Sequence, residues 1–194
     1  DVERMALAMY YAELAATLSP TGAEADAQLR LLLNCLYFLS EGKRPPRVLK
    51  AVYELRAMTL AGFMPDLVAC ADCVKYEGGA FCFDALRGRL YCADCAAKRE
   101  LACNLDAASL AAMRYVVFSE DGKLFSFSAS EQTALRLGAV AERWTLVCLN
   151  RPLRSLEFLH TLWAPGVEDA ESAQDAKDAL ASCAVENLEK SQET

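Results

Sequence analysis

The chain has 194 residues, 54% of them hydrophobic and 24% charged, with a net charge of −7. This length suits one domain, or one domain with a small module, and the apolar content excludes a broadly disordered chain. Residues 164–194 hold eight acidic and two basic residues, whereas residues 1–163 hold 19 and 18, so the near-neutral body has no global footprint for nucleic acid and only local basic patches remain.

Apolar residues from Met5 to Leu18 recur at spacings of three and four, which predicts an amphipathic helix over Val2–Leu18 with Met5, Leu7, Tyr11 and Leu14 inward. Ser19-Pro20-Thr21-Gly22 breaks it. A second helix follows over Ala25–Leu39, apolar on most of its circumference and so expected to be central; Gly42 stops it. Pro46 opens a third, Arg47–Leu60, with Val48, Val52 and Leu55 inward, Arg44, Arg47, Lys50 and Arg56 outward, and Gly62 and Pro65 at its exit. From Asp66 to Arg99 the pattern changes to short alternating pieces separated by Gly78, Gly79 and Gly88, which reads as β-hairpins. Helix returns after Asp106 and runs to Phe118. Ser128-x-x-Glu131 has the form of a capping box for a helix over Ala129–Leu149. Arg151-Pro152 interrupts it before a last helix, Leu153–Trp163. The expected fold is mainly α: a helical bundle (1–163) carrying a small β-hairpin zinc-ribbon-like insertion (66–99). An acidic tail (164–194) is expected to be largely disordered. Because the chain opens directly in helix at Asp1, it is expected to be a piece of a longer protein with an upstream domain missing.

The nine cysteines do not make a simple disulfide framework, the count being odd. Four of them form Cys70-Ala-Asp-Cys73 and, after 18 residues, Cys92-Ala-Asp-Cys95. A C-x2-C turn aims two sulfurs at one ion, and two such turns close a tetrahedral S4 zinc site. Free thiols, two local disulfides or an iron–sulfur cluster are the alternatives to zinc. Four thiolates leave no open coordination position, so the expected role is structural. A 30-residue insertion cannot build its own core, and metal binding would supply its folding free energy; chelation should then unfold it before the bundle. Cys82 and Cys103 flank the site as substitute ligands outside either pair. Reduced thiols point to the cytoplasm. The longest apolar run, near Leu31–Leu39, is too short to span a bilayer.

Nothing else in the sequence suggests catalysis. There is one histidine, His160, and no phosphate-binding glycine loop or nucleophile elbow, so the chain reads as a non-enzyme. Basic residues cluster at Lys43, Arg44, Arg47 and Lys50; at Arg87, Arg89, Lys98 and Arg99; and at Arg143, Arg151 and Arg154. Each cluster is either a solvated charged face or a contact for phosphates or an acidic peptide. The first is the most suggestive, because it opens a helix beside apolar residues.

The order of features resembles the bacterial RecO family of DNA repair proteins. Tyr53-Glu54-Leu55-Arg56 leads to Leu60-Ala61-Gly62-Phe63-Met64-Pro65-Asp66-Leu67, then to the two C-x2-C pairs, and the body ends in Arg151-Pro152-Leu153-Arg154-Ser155-Leu156-Glu157-Phe158-Leu159. The resemblance covers residues 1–163 and implies the helical, zinc-binding part of that family without its N-terminal OB-fold. It implies a non-enzymatic recombination mediator, working with RecR and often RecF, that binds DNA, anneals strands and helps load RecA. It also implies a helical domain that takes the acidic, Phe-ending tail of single-stranded DNA-binding protein. Arg44, Arg47, Lys50, Arg143, Arg151 and Arg154 are the candidate DNA or partner contacts, with DNA binding expected to be weak for this piece alone. A zinc-ribbon adaptor of transcription or another assembly is the alternative.

Overall fold

A computed structural model describes residues 1–19 and 25–164. The break expected at Pro20–Gly22 and the acidic tail lie outside the described residues. One compact unit spans Asp1–Leu159; of the unit that follows, only residues 160–164 are described. The protein is mainly α, with a small three-stranded antiparallel sheet.

Helix α1 (Val2–Leu18) is capped by the Asp1 side chain, which accepts from the Glu3 N–H. Its inward face is Ala6, Leu7, Tyr10, Tyr11 and Leu14. Met5, expected inside, is 67% exposed. Helix α2 (Asp26–Glu41) ends at Gly42, whose φ of 67° is left-handed. Helix α2 is not the central one, since Leu29, Leu33 and Tyr37 face outward. That place belongs to α3 (Pro46–Leu60), which starts with proline at its first turn. It packs against α1 and α2 and against α5 (Ala107–Phe118) and α6 (Glu131–Leu149). Its exit forms a Schellman arrangement: Phe63 N–H donates to Met58 C=O at 2.9 Å and Gly62 N–H to Thr59 C=O at 3.1 Å.

Between α3 and α5 lie β1 (Ala80–Asp84), β2 (Arg89–Cys92), a one-turn helix α4 (Ala93–Ala97) and β3 (Leu105–Asp106). The sheet order is β2-β1-β3, with Phe81 opposite both Cys92 and Leu105. Strand β3 lies beyond the 66–99 insertion expected from sequence. Asn104 prepares its pairing, because its side-chain amide accepts from Phe83 N–H and donates to Phe83 C=O. The hairpin turn docks on α6. Phe83 meets Trp144 edge-on at 5.6 Å, and Gly88, with φ +64°, sits so close to the indole that a Cβ there would lie 2.8 Å from Trp144.

Asp106 caps α5 by accepting from Ser109 N–H and pairs with Arg136 of α6 at 2.7 Å. Helix α6 is capped by Ser130, which accepts from Thr133 N–H; the box expected at Ser128 and Glu131 does not form, because the helix begins at Glu131 itself. Helix α7 (Arg154–Trp163) is capped from α1: Glu13 accepts from Ser155 N–H at 2.8 Å and from the Ser155 hydroxyl.

Candidate metal centre and basic groove

The two cysteine pairs are shaped by different local structures. In the first, Val74 N–H donates to Cys70 C=O and Cys70 N–H to Lys75 C=O, both at 2.9 Å, closing a tight knuckle that needs Val74 at φ +61°. In the second, Cys92 ends β2 and stands just before α4, which holds Cys95. Arg99 joins the halves through two hydrogen bonds of 2.7 Å to Asp72.

The ligand atoms of Cys70, Cys73, Cys92 and Cys95 all lie within 4.8 Å of one another, so they could hold one metal ion. With Zn–S near ~2.3 Å, a tetrahedral site places its sulfurs about 3.8 Å apart, and Cys73 and Cys92 stand 3.6 Å apart. Burial opposes ionisation of Cys70, but N–H groups of Cys92, Cys73 and Asp72 aimed at its sulfur bring the thiol down to about 6. Burial and the neighbouring sulfurs push Cys95 up to about 12. Cys82 and Cys103 are outside this cluster. Burial is the main cause that holds the Cys82 thiol up, near 11.

The candidate basic residues separate. Lys50, expected outward, is 2% exposed. Its ammonium lies 2.7 Å from both Glu54 and Glu142, and Tyr10 donates to Glu54 at 2.6 Å. It therefore ties α1, α3 and α6 together and presents no charge to a partner. Arg44 is half-buried, donates to Phe127 C=O at 2.9 Å and lies over the Phe38 ring. Arg47 is half-buried at the start of α3, and Arg143 is exposed on α6. Arg151 donates to the Thr17 hydroxyl, and Arg154 donates its N–H to Glu13, with its side chain exposed.

Beside Arg44 opens a hollow of about 500 Å³, walled by Phe38, Pro45, Val48 and Phe127 with Lys43 and Arg44 at its rim; no carboxylate lines it. Phe127 was not among the candidate contacts. Phe127 lies 83 residues from Arg44, and nothing local in the sequence announces their meeting. Also missed was Arg114, whose guanidinium donates to the carbonyls of Leu67, Val68 and Tyr76, clamping the cysteine-bearing segment to α5.

The class of protein is therefore a mainly α body interrupted by a small sheet module whose four clustered cysteines could hold a metal ion. The family model "Recombination protein O C terminal" matches residues 1–157, and the chain belongs to the RecO family. The chain is 28% identical over 162 residues to "DNA repair protein RecO" of Acetivibrio thermocellus, covering 84% of this chain and 64% of that protein. It is 31% identical over 166 residues to the protein of that name from Symbiobacterium thermophilum, covering 84% and 65%. With that of Anaeromyxobacter sp. (strain K) the identity is 39% over 142 residues, covering 73% and 54%. The chain thus spans less than two thirds of the length of these relatives. No helix among the described residues is long and apolar enough to cross a membrane.

Proposed function

We propose that this chain is the helical, partner-docking part of a non-enzymatic recombination mediator that acts in DNA repair. It would bind DNA and protein partners, RecR and in some settings RecF, to promote strand annealing and RecA loading. The four cysteines would hold one Zn2+ in a structural site, since four thiolates occupy every position of a tetrahedral ion. Besides the family membership, the supporting observation is the hollow beside Arg44. Aromatic walls, two rim cations and the lack of any lining carboxylate suit an acidic peptide ending in phenylalanine, such as the tail of single-stranded DNA-binding protein. Arg47 stands beside it; Arg143, Arg151 and Arg154 would contact DNA. Lys50 drops out of the contact set because its charge is consumed inside the fold.

Calorimetry with an acidic, phenylalanine-ended hexapeptide tests the docking site. Binding should weaken at least about tenfold, or about 1.4 kcal/mol, in Arg44→Glu, and be unchanged in Arg143→Glu. No binding to the wild-type chain, or equal effects of the two reversals, would refute it.

A further inference from the structure

The hollow beside Arg44 does not stop at Phe127. Phe127, Ser128 and Ala129 also wall a second hollow of about 450 Å³, whose other side is Ala108, Ala111 and Tyr115 of α5. Ala111 and Tyr115 in turn wall a third, of about 970 Å³, bounded on its far side by Tyr76, Gly78 and Phe81 of the cysteine-bearing segment. The three hollows share walls in series. The series passes over α5 at Ala111, an exposed position with a single methyl side chain.

Charge changes along this series. The first hollow has Lys43 and Arg44 and no carboxylate in its lining, although Lys43 also pairs with Glu41, outside the lining, at 2.8 Å. The second has no charged lining residue. In the third, two cations and two carboxylates line the walls, Arg114 and Lys123 against Glu77 and Glu120; Lys123 pairs with Glu120 at 2.9 Å, and Arg114 donates to three backbone carbonyls and stacks on Tyr76 at 4.2 Å. A nucleic-acid backbone needs unopposed cations along its whole path; here the second hollow has none, and the third carries as many carboxylates as cations. Largely apolar walls with no net charge suit a segment of uncharged side chains.

We propose that the three hollows form one docking track for a peptide. Its anionic, aromatic C-terminal end sits at Lys43 and Arg44, and a preceding uncharged apolar segment crosses Ala111 to reach Tyr76 and Phe118. This rests on the reading of the basic groove above and extends it to a longer partner segment. A helix is about 10 Å across and an extended chain advances about 3.3 Å per residue, so about three residues cross α5 and about three more fill the last hollow.

Two synthetic peptides test it by calorimetry on the whole chain: a hexapeptide with three aspartates and a C-terminal phenylalanine, and the same peptide preceded by eight uncharged residues of Leu, Ala and Ser. The long peptide should bind at least about tenfold tighter. Ala111→Gln, an exposed helix position, should abolish that gain and leave the short peptide's affinity unchanged. Equal affinities in the wild type, or a gain that survives Ala111→Gln, would overturn the track while leaving the basic groove standing. Failure of both peptides to bind would remove the groove as well. Oligothymidylate that displaces the long peptide, and that itself loses affinity in Ala111→Gln, would assign the track to nucleic acid and overturn the proposal.

Discussion

Replacing Gly88 by alanine should be among the most damaging single-methyl changes in this protein, for two separable reasons. Gly88 has φ +64°, and a left-handed backbone costs an L-residue with a Cβ roughly 1 kcal/mol or more. The new Cβ would also stand 2.8 Å from one indole carbon of Trp144 and 3.2 Å from another. Trp144 is only 8% exposed and rests edge-on against Phe83, so the rigid ring has little room to retreat, and overpacking of this kind costs about 1–3 kcal/mol. Together the terms reach about 2–4 kcal/mol, which in a chain of this size lowers Tm by roughly 5–15 °C. Thermal unfolding followed by circular dichroism measures it. Gly79→Ala is the matched control: a Cβ there meets nothing within 4 Å, and Gly79 is not in the left-handed region, so its Tm should stay close to wild type. A Gly88→Ala Tm within about 2 °C of wild type would refute the claim that the hairpin turn is pinned against α6.

Lys50→Met leaves Glu54 and Glu142 without their shared ammonium and should cost about 3–5 kcal/mol in urea unfolding, whereas Arg143→Ala should stay within about 0.5 kcal/mol. Adding Glu54→Leu to Lys50→Met should recover part of the loss, because the buried carboxylate is then gone. Burial opposes ionisation of Glu13, but Ser155 and the Arg154 N–H bind its carboxylate and hold it below the usual carboxylate range. Its contribution is therefore complete above the unfolded value, about 4.3, and is lost as pH falls through the lower folded value; Glu13→Gln should flatten the acid limb of a stability-against-pH curve. Purified protein should carry one zinc per chain, measured by mass spectrometry, and Cys92→Ser should lose it. After chelation, hydrogen exchange should rise first around residues 68–78 and 92–99 and only later in α3 and α6.

The sequence makes some of this structure plain and hides the rest for identifiable reasons. The starts of α1 and α3 and the stop at Gly42 are readable because capping chemistry is local: an aspartate before Val2, a proline at 46, a glycine free to take positive φ. The cysteine cluster is equally readable, since each pair lies within four consecutive residues. Lys50 is different. A lysine four residues before a glutamate looks like an exposed helix pair. Its burial depends on Glu142, 92 residues away, and on α3 being enclosed from several sides. Helix α2 misleads in the opposite direction, because an all-round apolar helix suggests a centre, yet Leu29, Leu33 and Tyr37 remain outside. The basic groove needs Phe38, Arg44 and Phe127 brought together from two distant stretches, and Arg114 reads as one more surface cation until its three carbonyl acceptors are known.

These long-range contacts change what a bound metal would have to do. If the cysteine segment were a free insertion, zinc would be its only support, and chelation would unfold all of residues 66–99 together. Two other fasteners hold it. Arg114 grips the carbonyls of Leu67, Val68 and Tyr76 from α5, and the Gly88 turn lies against Trp144 of α6. Both attach the segment to helices other than α4, the one that carries Cys95. The hairpin between them, Phe81 to Leu90, is buried along most of its length. Loss of the ion should therefore open the two cysteine pairs while the turn stays docked, and Gly88→Ala combined with chelation should free the turn as well, leaving the Arg114 clamp as the remaining attachment. A bound ion's work would then be narrower than folding a module: it would fix two chain segments, Cys70–Cys73 and Cys92–Cys95, relative to each other, close in sequence to Tyr76 and the hollow that Tyr76 lines.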